Sequence, residues 1–205
     1  MWQSLLRSVS VATLVGLLLV AGCAGSRAGW LPAAALSAMA AHGPEVSVKA
    51  YVDGGGVVRK LSLYHQQAER VPEPVRRLAQ EQFPGARMRQ YEVELLADGS
   101  WVHEVELETA EGRRCELSAT AQGSLRYTEC PLPPADLPEP VRNEVSRRVP
   151  GGDIEEAEVQ TGAAGRIYEV KVRSQGRVHV LRLAPSGEVL RRSLRIHAEL
   201  DVEQR

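Results

Sequence analysis

The sequence predicts an α+β protein made of tandem repeats, each one helix followed by a four-stranded antiparallel meander, with a shorter helix-hairpin unit in front. Three observations predict it. Val71-Pro72-Glu73-Pro74-Val75 returns as Leu137-Pro138-Glu139-Pro140-Val141, a shift of 66 residues. Phe83-Pro84-Gly85 returns as Val149-Pro150-Gly151 at the same shift, and two matches in one register mark an internal repeat. After each of these segments come short runs rich in valine, leucine and tyrosine, separated by turns that end in glycine, the pattern of antiparallel hairpins.

The repeat holds further along with a small drift. Asp98-Gly99 corresponds to Ala164-Gly165, Glu104 to Leu107 matches Glu169 to Val172 one residue closer, and Gly112 and Gly123 pair with Gly176 and Gly187. One extra residue therefore lies between Gly99 and Glu104 of the first copy, where a bulge or a longer turn absorbs it. Pro72 and Pro138 suit the first turn of a helix, where a missing amide hydrogen costs little. Val75, Leu78 and Phe83, or Val141, Val145 and Val149, then fall on one helical face, and Pro84 or Pro150 stops the helix. Four strands follow in each copy. The helix is expected to cover one face of the sheet, leaving the other solvated or free to bind.

The remaining boundaries follow from composition. Residues 31–66 read as the shortened unit: Leu31-Pro32 opens an alanine-rich helix that breaks near Gly43-Pro44, and Val46 to Val52 and Val57 to Tyr64 form a hairpin around Asp53-Gly54-Gly55-Gly56. Residues 67–131 and 137–205 are the two full copies, joined by the proline-rich stretch Pro131 to Pro134. With Gln122 and Gly123 taken as a two-residue hairpin loop, facing residues have numbers that sum to 245, as those of Cys115 and Cys130 do. A cross-strand disulfide is the expectation; a redox or metal pair would call for a CxxC spacing, which is missing.

The N-terminus carries an address. Arg7 is followed by a nearly all-apolar run from Val9 to Val20, too short to span a bilayer and ordered as a secretory signal over residues 1–22. Val20-Ala21-Gly22-Cys23 resembles a bacterial lipobox, which implies cleavage before Cys23, lipidation and acylation there, and a lipid-held tether over 23–30. Ala24 after the cysteine implies sorting to the outer membrane, facing the periplasm. An exported location also permits the disulfide.

Leu-Pro-x-x-Val, then a helix, Pro-Gly and a glycine-turn meander carry a family resemblance. Residues 71–130 and 137–197 resemble PepSY-like domains, in the branch described as similar to β-lactamase inhibitory proteins. The resemblance is carried by Val71-Pro72 with Val75, Phe83-Pro84-Gly85, Leu137-Pro138 with Val141, Val149-Pro150-Gly151 and Tyr168-Glu169-Val170. It implies a periplasmic or cell-surface module that binds or restrains other proteins, with inhibition of peptidases or β-lactamases as proposed roles. The first copy departs from it, with Val102-His103-Glu104-Val105 in place of Tyr-Glu-Val, and no inhibitory contact residues are carried over.

No catalytic motif stands out. His42, His65, His103, His179 and His197 are scattered singly, without the HxxxH spacing that would set two on one helical face, so no metal or cofactor is expected. There is no GxSxG elbow, and Gly54-Gly55-Gly56 lacks the lysine and helix of a phosphate loop. Glu155 and Glu156 point to opposite faces of a strand and cannot act as a pair. The net charge of −1 argues against a nucleic-acid partner. Charge is nevertheless unevenly spread. Residues 87–117 carry four arginines against eight acids, whereas residues 166–196 carry eight basic residues against two acids. Such runs are usually solvated faces; the sharper reading makes Arg173, Arg177, Arg191 and Arg195 a basic platform for an acidic partner. The expected function is a lipid-anchored, non-catalytic module that binds an envelope protein, the alternative being a structural or assembly lipoprotein of the outer envelope.

Overall fold

Among the described residues, each strand pairs with its neighbour in sequence. The computed structural model describes residues 47–197. It contains β1 (Ser47–Val52), β2 (Val58–His65), α1 (Glu73–Gln82), β3 (Arg87–Leu96), β4 (Trp101–Glu108), β5 (Arg114–Thr120), β6 (Leu125–Pro131), α2 (Glu139–Arg148), β7 (Asp153–Gly162), β8 (Gly165–Ser174), β9 (Arg177–Leu183) and β10 (Val189–Arg195). The strands form one antiparallel sheet of ten in the order β1 to β10. The signal segment, Cys23, the tether and the helix expected from Leu31 lie outside the described residues.

This corrects the expected fold class. The chain is not built of tandem helix-plus-four-strand units with a helix-hairpin unit in front, because the ladder runs without a break through both expected boundaries. Tyr127 to Pro131 of β6 pairs with Gly162 to Glu158 of β7, and Lys60 to His65 of β2 pairs with Leu96 to Tyr91 of β3. The physical reason is the open edge: a free-standing meander exposes unpaired amide and carbonyl groups along both outer strands, and joining neighbouring edges satisfies them. Among the described residues, only β1 and β10 remain as edges.

Both helices lie on the same side of this sheet. Val75 and Ala79 of α1 pack with Tyr91, Val105, Leu107, Leu117 and Ala119, while Val141 and Val145 of α2 pack with Ala157, Tyr168, Val170, Val172, Leu181 and Leu183. Following the register from Leu117 through Thr128 and Thr161 keeps these residues on one face. Leu78 and Phe83 flank the first cluster only partly buried, and Ala79 takes the central position. Pro72 and Pro138 are the N-caps, each followed two residues later by a second proline inside the first turn, where no intrahelical donor is lost.

Turn geometry ties the hairpins to the helices. In the β5–β6 hairpin the Gly123 amide donates to the Thr120 carbonyl at 2.9 Å and the Thr120 amide to the Ser124 carbonyl at 3.0 Å. The loop thus has three residues, Ala121 to Gly123, and not the two expected. Gly123 has φ +82°, and a Cβ there would lie 2.9 Å from the Pro74 side chain; Gly187 repeats the arrangement over Pro140. A bulge at Arg126 restores the register, so Glu116 faces Glu129 and the disulfide joins Cys115 to Cys130, with Cα atoms 4.3 Å apart. The extra residue of the first copy sits in the longer β3–β4 turn; β7 and β8 are joined by Ala163 and Ala164 alone.

Candidate functional site

The face without helices is the candidate site, and alternation alone places its residues. In Glu104-Val105-Glu106-Leu107 the valine and leucine enter the core, so both glutamates project to the other side. The ladder carries that assignment across the sheet. Tyr64, Glu92, Glu104, Ser118 and Tyr127 stand opposite one another in successive strands. The next row runs through Gln90, Glu106, Glu116, Glu129 and Gln160, and a third through Glu158, Glu169, Arg182 and Arg191.

The sheet curls towards this face. Arg191 in β10 and Tyr51 in β1, at the two ends of the strand order, both project to it, and the guanidinium carbon lies 4.5 Å from the ring centroid. The curl explains why charged residues on a helix-free face are buried: Glu92 is 7% exposed, Glu94 2% and Glu104 5%, with Ser62 and Ser118 at 0%.

The buried charges hold one another. Lys60 pairs with Glu94, which also accepts a hydrogen bond from Ser62 at 3.2 Å, and the Tyr127 hydroxyl donates to Glu104. Lys171 lies 2.6 Å from Glu156 and 3.1 Å from Glu158. Arg182 and Arg191 approach Glu169 at 3.8 and 3.9 Å. Burial, reinforced by neighbouring carboxylates, pushes Glu104 up to about 8, Glu116 to about 7 and Glu129 to about 9. The hydroxyls of Tyr64 and Tyr127 are raised for the same reason and stay protonated. A polar groove of about 380 Å³ between Gln66, Arg89, Gln90, Glu106, Glu108 and Arg114 opens at one mouth of the curl.

The four arginines singled out in the sequence do not share one surface. Arg173, Arg191 and Arg195 project into or around the curl, whereas Arg177 pairs with Ser174 at the β8–β9 turn and faces the helix side. Arg173 and Arg195 are exposed at the rim; Arg173 is bound through Nη2 to Glu155 at 3.0 Å. Arg191 is spent on Glu169 and Tyr51. Of the histidines, His103 and His179 lie on the helix side, each with a buried Nδ1. The carboxylate rows escaped the sequence reading. Their signal was the glutamate at alternate positions of β3 and β4, but alternation gives the face and not its curvature.

No protein-family model matches the chain, and no curated protein is similar to it. Among solved structures, a BLIP-like protein from Bacteroides fragilis is similar at 15% identity and TM-score 0.47, covering 65% of this chain and 92% of its own. DUF2874 family proteins from Bacteroides uniformis and Bacteroides ovatus are similar at 15% and 16% identity, with TM-scores of 0.47 and 0.46; each match covers 60% of this chain and 88% and 86% of theirs.

Proposed function

We propose that the protein is a non-catalytic binding module of the bacterial envelope, held to the membrane by lipid on Cys23, that receives a partner protein in the curled, helix-free face of its sheet. The observation that supports this reading is the division of labour between the two faces. Both apolar clusters and both helices occupy one side, and charged, amide and hydroxyl groups run in rows across the other from β2 to β10, with Val102, Ile167, Val178 and Val180 among them. A merely solvated face has no need of a curl, and burying carboxylates is costly unless they are paired. A face that grips a polar segment of a partner uses both features. Exposed Arg173 and Arg195 on one rim, and Arg114, 73% exposed, with Glu106 on another, supply the charges that first meet it. Inhibition of an enzyme is the finer form implied by the resemblance to β-lactamase inhibitory proteins.

The test is a pull-down from envelope extract with the full-length lipoprotein in detergent, beside two variants. Arg173→Glu with Arg195→Glu reverses charge on the rim; Arg77→Glu reverses it on the outer side of α1. One protein recovered by the native chain and by the Arg77 variant, and lost by the rim variant, is the expected result. Equal recovery by all three, or none by any, refutes the reading. Incorporation of labelled palmitate, abolished by Cys23→Ala, tests the anchor.

A further inference from the structure

Glu92, Glu94 and Glu104 each present a carboxylate oxygen within 4.8 Å of the other two, and all three are more than nine-tenths buried. Lys60 pairs with Glu94, and neither Glu92 nor Glu104 has a bonded cation; Lys49, at the exposed edge, donates to the Tyr64 hydroxyl at 3.3 Å. A buried carboxylate without a bonded cation is costly, and either keeps a proton or takes a counter-charge.

Two further atoms point to what supplies it. Ser118 Oγ is fully buried directly across the ladder from Glu104, and has no hydrogen-bond partner. A hydroxyl beside carboxylates ordinarily donates to one of them; this one does not. Glu92 Oε1 is likewise buried without a partner. Two other oxygens, by contrast, are held: Glu94 Oε1 by Lys60 and Ser62, Glu104 Oε1 by Tyr127. Donors of that kind orient the carboxylates of a metal centre. A cavity of about 10 Å³, room for one water-sized sphere, adjoins Glu92 and Glu104 on the side of Glu106 and Glu116; Glu94 and Ser118 do not line it.

We propose that Glu92, Glu94 and Glu104, together with the Ser118 hydroxyl, bind a divalent cation, calcium by preference, inside the curl. Calcium takes six to eight oxygens at about 2.3–2.6 Å, so oxygens across one ion stand about 4.6–5.2 Å apart. The three carboxylates fit inside that span. The second carboxylate triad, Glu129, Glu158 and Glu169, is a poorer host, because Lys171, Arg182 and Arg191 already neutralise it. The ion would tie β3, β4 and β5 together from the side that carries no helix.

The experiment uses the full-length protein, stripped with a chelator and dialysed, and titrated calorimetrically with calcium chloride or magnesium chloride up to about 10 mM, above the range of weak extracellular calcium sites. One calcium per chain is expected, bound more tightly than magnesium. Glu104→Gln and Ser118→Ala each weaken it by about tenfold or more, while Glu158→Gln leaves it unchanged. Ser118→Ala removes a hydroxyl that bonds nothing else, so the fold survives that change. Absence of binding to the native protein, or binding that neither Glu104→Gln nor Ser118→Ala weakens, overturns the proposal.

Discussion

Arg191, in the last strand of the sheet, lies over the ring of Tyr51 in the first, 4.5 Å from its centroid. The two strands share no ladder, so side chains and not backbone hydrogen bonds bring the edges together. A partly exposed contact of this type is worth about 1 kcal/mol. Tyr51→Ala is therefore expected to leave the protein folded while loosening its first strand. Hydrogen exchange checks this: amides of Ser47–Val52 exchange faster in the variant and those of β4 and β5 do not. Unchanged exchange in β1 would mean that the contact does not hold the curl.

The Cys115–Cys130 disulfide closes a loop of 15 residues on the helix side. Constraining the unfolded chain over such a loop contributes about 3 kcal/mol. Reduction, or the double change to alanine, is expected to lower stability by about 2–4 kcal/mol, read from denaturant melts with and without reductant. A change below about 1 kcal/mol would indicate that the β5–β6 pairing in the unfolded chain is already constrained without it.

Gly187 has φ +85°, and a Cβ there would lie 2.6 Å from the Pro140 carbonyl oxygen; Gly165 has φ +97° and open space around it. Gly165→Ala carries only the conformational cost, about 1 kcal/mol. Gly187→Ala adds a clash with the start of α2 and is expected to cost at least twice as much. Thermal melts of the two variants compare them directly. Equal losses would show that the hairpin tip can move off the helix.

The buried carboxylates set a pH dependence. Unfolded glutamates titrate near 4.5, whereas folding raises Glu116 to about 7, Glu104 to about 8 and Glu129 to about 9. The folded chain thus keeps protons that the unfolded chain has released. The stability from these groups is complete below about pH 4.5 and is lost as pH climbs through 7 to 9. Glu144, held down to about 2 by Arg147 and Arg148, is fully protonated only at far lower pH and does not oppose this trend. In chelator, the Tm at pH 5.5 is expected to exceed that at pH 9 by several degrees. A Tm that rises over that interval would mean that the carboxylates are paired better than the burial suggests.

Much of the local structure was legible because it is enforced locally. Pro72 and Pro138 start helices, Pro84 and Pro150 stop them, and glycines at positive φ close the hairpins. The cysteine pairing was also readable, although by a partial accident: the loop before Ser124 is one residue longer than assumed, and the bulge at Arg126 returns the register to the same alignment. What the sequence did not contain was the joining of β2 to β3 and of β6 to β7, since periodicity within a strand says nothing of its edge partner. The carboxylate-lined curl was hidden for a related reason. Glu92, Glu94 and Glu104 have the alternation of solvated residues, and it is the curl of the sheet, with Lys60, Ser62 and Tyr127 against Glu94 and Glu104, that buries them.

The most direct measurement is photo-crosslinking in living cells, with a photoreactive amino acid placed at Arg195 on the rim of the curl or at Arg77 on the outer side of α1. A discrete adduct from position 195 and none from position 77 is the expected result, and would fix the helix-free face as the binding surface. Adducts from position 77 alone, or from neither, would contradict it.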